Sequence, residues 1–394
     1  MAALNATPMK TEKAATAHLV GSFKGDPSGP TLIVVGSIHG NEPSGAKALR
    51  RISETLRGIE TKLRGRVFLI EGNVRALRES VRFIDSDLNR HWTRANVAAI
   101  RSNTELGRSE DLELRELLGL FTTILDTARD EVFALDLHST SAHGLPFATV
   151  GDTLRNRRFA QKFPVTILLG IEEQLEGTML EYLNNLGVVT FGFEGGQHDL
   201  AETVDNHEAL IWIALANSGV ARAEDIPNLE KHRLCLAKAS GKARIVEILF
   251  RQPVKEDDGF VMDPGYENFQ PVARGQGLAH DRLGLITSPQ KGLILMPLYQ
   301  AKGDDGFFIG REVAPFWLWL SKILRNAGTP TLIRVFPGVW RHPEDPERLV
   351  VDTRVARFFP LQIFHLLGFR RRAWEGNRLV VARRKFDTRS PFTP

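Results

Sequence analysis

A chain of 394 residues, 42% hydrophobic and 25% charged, has globular composition and excludes a collagen-like, low-complexity or disulfide-stapled protein. Its length suits two or three domains with a large core, and its one cysteine, Cys235, has no partner for an internal disulfide, which points to a reducing, cytoplasmic setting. The net charge of +4 is uneven: residues 311–394 hold 16 Lys or Arg against 7 Asp or Glu, an excess of nine positive charges, so the first 310 residues carry an excess of five negative ones.

Residues 1–29 mix Ala, Thr, Lys and Glu without an apolar leader, and predict a loose N-terminus. Residues 31–38 (TLIVVGSI) are a short, β-branched apolar run that suits a buried strand. Pro43 stands at a helix start, and Ala46, Leu49, Ile52 and Leu56 follow at helical spacing. Further strands are predicted at 66–70, 131–137, 165–169 and 188–193, with helices at 111–128, 176–186 and 204–218. Strand alternating with helix predicts an α/β fold over residues 30–220, a mostly parallel mixed sheet flanked by helices.

Residues 221–242 are polar, contain Pro227 and Gly241, and read as a junction. Residues 243–310 place short strands (244–250, 292–297) among turn formers such as DPG at 263–265, which predicts a smaller β-rich domain. Residues 311–394 predict a basic α+β C-terminal extension with a helix at 313–325, a strand at 331–336, a helical stretch at 360–367 and a strand at 378–383. Phe316, Trp317 and Trp319 are expected to pack that first helix. No apolar run reaches the length of a membrane span, and no nucleic-acid module accompanies the arginine clusters at 370–372 and 383–385, which read as solvated faces.

Chemistry gathers at the strand ends. In GSIHGNEP, His39 and Glu42 follow the first strand at a spacing that lets one rigid turn bring both to one cation; Gly36 and Gly40 are expected to let the backbone bend sharply. His138 follows a second apolar strand in DLHST, so that two imidazoles and a carboxylate match the three protein ligands of a catalytic zinc site, with Asp136 placed to orient a ligand histidine. Glu194, in GFEGG after a third strand, suits the base that takes a proton from the attacking water and passes it to a leaving amine. In RFIDSDLNR, Arg82 suits a developing oxyanion, Asn89 and Arg90 suit a substrate carboxylate, and Asp87 suits the steadying of an arginine. His143, His198 and His207 lie near these motifs and read as pocket lining or surface.

In this order, GSIHGNEPSG, DSDLNRHW, DLHST and GFEGG resemble the succinylglutamate desuccinylase and aspartoacylase family, within the zinc carboxypeptidase-like superfamily. The resemblance runs over about residues 30–310 and implies an α/β zinc domain followed by a smaller β domain that shapes the substrate entrance. It implies His39, Glu42 and His138 as ligands of one zinc ion per chain and Glu194 as general base. Arg82 would act at the scissile carbonyl, with Asn89 and Arg90 on a substrate carboxylate. Tyr299 is the candidate for a tyrosine lent by the β domain, and residues 172–193 lack the arginine that aspartoacylase members carry before the glutamate. The expected activity is zinc-dependent hydrolysis of the amide of a small N-acyl amino acid or related compound, with no nucleic-acid partner and an oligomeric state left open. A metallocarboxypeptidase acting on peptides would share the metal core. A non-enzymatic metal-binding or interaction protein would share it too, but has no need of Glu194.

Overall fold

The chain enters the fold at Leu19–Lys24 (β1), an edge strand paired antiparallel with a later one, so the loose stretch predicted at the N-terminus does not extend through these residues. The computed structural model describes residues 17–102, 107–300, 303–328, 333, 337–343, 348–352, 354–355, 361–376 and 378–393. In chain order β1 is followed by Thr31–Gly36 (β2), Ser44–Ile59 (α1), Arg66–Glu71 (β3), Val74–Glu79 (α2), Arg94–Arg101 (α3), Ser109–Asp126 (α4) and Val132–Thr140 (β4). Next come Phe147–Val150 (β5), Leu154–Ala160 (α5), Thr166–Leu169 (β6), Met179–Asn185 (α6), Val189–Gln197 (β7) and Ala201–Asn217 (α7).

These strands form the larger part of one sheet in the order β1-β3-β2-β4-β7-β5-β6. Neighbours from β3 to β7 run parallel; β5 runs antiparallel to β7 and parallel to β6. Every residue of β2 is buried, which is why its sequence is apolar throughout rather than alternating. Leu32 and Val34 join the core beneath α1 and α7, while Ile33 and Val35 join the opposite core beneath α4. Period-two alternation thus divides one apolar strand between two cores, each buried Leu or Ile contributing roughly 1.5–3 kcal/mol.

The junction contains a helix, Leu229–Ser240 (α8), which the sequence pattern did not announce: its buried residues are only Leu229, Leu236 and Ser240, too few for a clear apolar stripe. Beyond it, Ile245–Pro253 (β8) pairs in parallel with β6 and carries the sheet onward. Val261–Met262 (β9), Gly277–Asp281 (β11) and Gly284–Thr287 (β12) form a separate small sheet, whereas Pro271–Val272 (β10), Gly292–Leu295 (β13) and Asp305–Glu312 (β14) extend the main one to eleven strands.

The C-terminal extension contains Pro315–Asn326 (α9), Val339–Arg341 (β15), Arg348–Asp352 (β16), Leu361–Leu366 (α10), Phe369–Glu375 (β17) and Arg378–Arg383 (β18). Its sheet, β15-β16-β18-β17, is antiparallel and has its own core around Leu349, Val351, Phe364 and Val381. Of the strand expected at 331–336, all but the buried Ile333 lies outside the described residues. Phe316, Trp317 and Trp319 do not pack the helix as expected: they are exposed, because α9 turns Ser321 and Arg325 inward to the Leu366 carbonyl. Arg325, fully buried, pairs with Asp152 at 2.9 Å, and Arg157 and Arg370 converge on the same carboxylate. Asp387 accepts from the Leu154 amide at 2.8 Å, so the extension also holds the start of α5. Among the described residues no helix is long and apolar enough to cross a membrane.

Candidate active site

Parallel pairing sets Gly36 beside Leu137 and His138 beside Glu194, so β2, β4 and β7 deliver their motifs to one edge of the sheet. The turn after β2 is pinned on both sides. Ser37 takes the left-handed conformation (φ +60°) and its hydroxyl donates to the Glu42 carbonyl at 2.8 Å. The two glycines serve close approach rather than the bend: a Cβ on Gly40 would lie 2.2 Å from the Ala76 backbone, and one on Gly36 2.7 Å from that of Gly45. The sharp bend expected at Gly36 and Gly40 therefore falls on Ser37.

Glu42 Oε1 lies 2.9 Å from Nδ1 of His39, and its Oε2 lies 3.1 Å from Nδ1 of His138. One ligand atom from each of the three side chains falls within 4.8 Å of the others. The far nitrogens are also engaged: Nε2 of His39 faces Asp87 Oδ1 at 3.1 Å, and Nε2 of His138 faces Asp136 Oδ2 at 2.9 Å. Each Nδ1 faces a Glu42 oxygen, so once these nitrogens give up their protons they offer lone pairs beside the carboxylate. Two lone pairs and a carboxylate facing one another are a donor set for a divalent cation, and its makeup fits zinc.

Without such a cation, protons must compensate the charge. Burial presses the His138 imidazole toward neutrality, but Asp136 and Glu42 overcome this and hold its pKa well above the usual range. Burial pushes the Glu42 carboxyl up, and the two imidazoles bring it well below the ordinary value. Glu194 behaves oppositely: burial, reinforced by Glu42 and Asp136, raises it to about 7 against the pull of His138 and His39. Its Oε2 is buried with no hydrogen-bond partner.

Arg82 donates from Nη2 to Asp87 Oδ2 at 3.1 Å, and its Nη1 lies 3.5 Å from Glu42 Oε1; its Nε is buried without a partner. Asp87 thus steadies an arginine and a histidine together. Asn89 and Arg90 both line the cleft. The Asn89 side-chain oxygen accepts from the Met179 amide at 2.9 Å, and Arg90 is held by Asp305 at 2.9 Å. Every site residue expected from the motifs therefore borders one cleft, Asp87 excepted, which sits behind Arg82 and His39.

Glu110 and Gln300 escaped the sequence reading, whereas His143, His198, His207 and Tyr299 were named in it. Glu110, fully buried at the start of α4, accepts from the amides of Ile84, Asp85 and Ser86 and so holds the loop that carries Arg82. His207 is buried against Gly195 and lies 2.9 Å from the His138 carbonyl, its pKa lowered by burial to about 4, so it acts as a neutral donor beneath the site. His198 pairs with Ser139 at 2.8 Å, and Gln300 lines the cleft, while Tyr299 does not: its hydroxyl donates to the Asp263 carbonyl at 2.9 Å. His143 is exposed. A second cluster of ligand-type side chains, His18, Glu113 and Glu116, is compensated by Arg75, which pairs with both carboxylates at 2.8 and 3.0 Å.

Residues 28–212 match the succinylglutamate desuccinylase/aspartoacylase catalytic domain. A probable aspartoacylase of Acaryochloris marina is 33% identical over 129 residues, a stretch spanning 31% of this chain and 39% of that protein's length. The crystal structure of a succinylglutamate desuccinylase/aspartoacylase from Rhodobacter sphaeroides shares the fold with a TM-score of 0.54 at 17% identity, over 75% of this chain and 88% of that one. The product-bound ectoine utilization protein EutE (DoeB) from Ruegeria pomeroyi does so with a TM-score of 0.54 at 18% identity, over 74% and 87%. Residues 28–212, the stretch that matches the succinylglutamate desuccinylase/aspartoacylase catalytic domain, carry the whole cluster from His39 to Glu194.

Proposed function

We propose that this protein is a zinc-dependent deacylase that hydrolyses the amide bond of a small N-acyl amino acid or related amide. One observation carries the reading: a two-imidazole, one-carboxylate donor set converges beside Glu194, whose Oε2 is buried with no hydrogen-bond partner. His39, Glu42 and His138 would hold the ion, oriented by Asp87 and Asp136. When bound, zinc supplies Lewis acidity to the amide carbonyl and to water.

The protein's own groups do the rest. Glu194 takes the proton released as water attacks the carbonyl carbon, and delivers it to the departing nitrogen. Its raised pKa suits both transfers near neutral pH. Arg82 donates its unpartnered Nε to the oxygen on which negative charge develops, while Asp87 keeps the guanidinium in place. Arg90, steadied by Asp305, and Asn89 receive the amino-acid carboxylate. A cytoplasmic setting accords with the single cysteine.

The test is a screen of N-acyl amino acids with the zinc-loaded protein, run beside an assay for release of C-terminal residues from peptides. Acyl release is expected, and Glu194→Gln should retain zinc and lose at least about 10²-fold in kcat. Full activity of that variant would remove Glu194 from the chemistry. Release of C-terminal residues in place of acyl groups would make the protein a carboxypeptidase.

A further inference from the structure

The cleft continues well past the metal centre. Alternate residues of a strand share a face, so Glu194, Gly192 and Thr190 of β7 line one wall, beside Phe147 and Thr149 of the antiparallel β5. At about 3.3 Å per residue, Thr190 lies on the order of 13 Å beyond Glu194. Leu180 of α6 roofs this wall, and Gly192 leaves no room for a side chain: a Cβ there would lie 3.2 Å from Leu180 and 2.3 Å from the Thr149 hydroxyl.

At the inner end stands a polar hollow. Asn184 is 4% exposed, and its Nδ2 donates to the Val188 carbonyl at 2.9 Å, which leaves Oδ1 buried with no donor. The space a Cβ on Gly151 would fill lies 3.4 Å from that Oδ1, 3.6 Å from Asn156 Nδ2 and 3.9 Å from Arg384 Nη2. An acceptor lacking a donor therefore shares the hollow with the Arg384 guanidinium, the Asn156 Nδ2 protons being taken by the Gly151 carbonyl at 2.9 Å and the Thr190 hydroxyl at 3.1 Å. Arg384 belongs to the C-terminal extension, lines the same cleft as Glu194, and is held by Asn185 at 2.5 Å and by Glu181 at 3.5 Å. Its pairing with Glu181 leaves the inner end near neutral, so a carboxylate or ammonium finds no matching excess charge. A neutral group that both donates and accepts does.

We propose that the hollow between Asn184 and Arg384 is a subsite for the neutral, hydrogen-bonding end of an extended acyl chain, such as a primary amide, so that the C-terminal extension sets acyl specificity. The orientation rests on the deacylase reading: with the amino-acid carboxylate on Arg90, the acyl chain points inward. Subtracting a hydrogen-bond length of about 3 Å at each end leaves roughly 7 Å. That is about two residue lengths of extended chain, or about six bonds, the reach of an adipamoyl group.

Calorimetry with free acids on the zinc-loaded full chain tests this apart from turnover. Adipamate is expected to bind at least tenfold more tightly than hexanoate or acetate. Gly151→Ala, whose methyl group meets its neighbours at ordinary contact distances, should abolish that preference while the thermal midpoint stays within a degree or two. Arg384→Gln should reduce the preference. Hexanoate binding as tightly as adipamate, or a preference that survives in Gly151→Ala, would overturn the subsite. Hydrolysis of acetyl and hexanoyl amides with no gain for adipamoyl would also overturn it and leave the deacylase reading intact. The binding differences without any amide hydrolysis would support the subsite and sink the deacylase reading.

Discussion

Gly192 shows how much one missing side chain decides in this cleft. It separates Asp136 on β4 from Thr149 on β5, and a methyl group there would meet the Thr149 hydroxyl at 2.3 Å. Gly192→Ala should therefore cost about 1–3 kcal/mol by overpacking, read from the urea midpoint. Removing the neighbour in the same chain, as Thr149→Ala, should recover most of the loss, since touching residues couple. Simple additivity of the two substitutions would show that the strain lies elsewhere. At this scale the motifs carrying His39, Glu42 and His138 were legible because these residues stand directly after apolar strands, where α/β sheets place ligands. Glu110 and Arg384 were not: each acts through partners far away in sequence, and nothing in its own neighbourhood marks it.

The elements divide in the same way. Strands buried on both faces read as unbroken apolar runs, and α1 follows Pro43 with its inward positions at helical spacing. What stayed hidden depends on pairing between distant segments: the edge strand β1, the continuation of the main sheet from β6 into β8, and the helix within 221–242. The seam between α5, α9 and β17 is likewise tertiary. The Asp152 side chain is fully buried and faces Arg157, Arg325 and Arg370 together, which hold its carboxyl well below the usual range despite burial. Asp152→Ala leaves three guanidinium groups crowded without their shared carboxylate. It should destabilise the protein by about 3–5 kcal/mol. Hydrogen exchange should show the loss first in β16 and β18 if the extension opens as a unit; uniform loss of protection across β2 and β4 would instead make the chain a single cooperative block.

Across the whole molecule, the uneven charge in the sequence becomes complementarity. The basic residues of the extension turn inward as well as outward: Arg325 meets Asp152 and Asp387, Arg370 meets Glu173 and Glu247, and Arg384 meets Glu181. His365 of α10 completes this seam, with Nε2 2.9 Å from Glu173 and Nδ1 2.8 Å from Glu247, and Arg311 approaches Glu247 from β14 at 3.5 Å. Burial pushes the Glu247 carboxyl up, but His365, Arg370 and Arg311 bring it down to about 2, and Glu173 is lowered by His365 and Arg370 in the same way. A depressed carboxylate contributes stability that is present above its unfolded value of about 4.3 and is lost as pH falls through the folded one. His365 is raised because Glu173 and Glu247 outweigh its burial. Its contribution is complete below an unfolded value of about 6.5 and is lost as pH rises through the raised one. The seam should therefore be tightest between about pH 4.5 and 6.5 and weaken on both sides. Protection of β16–β18 from hydrogen exchange, corrected for the intrinsic pH dependence of exchange, should follow that window. His365→Gln should flatten the alkaline limb and keep the acid one, whereas an alkaline limb unchanged in the variant would assign the pH response to other groups.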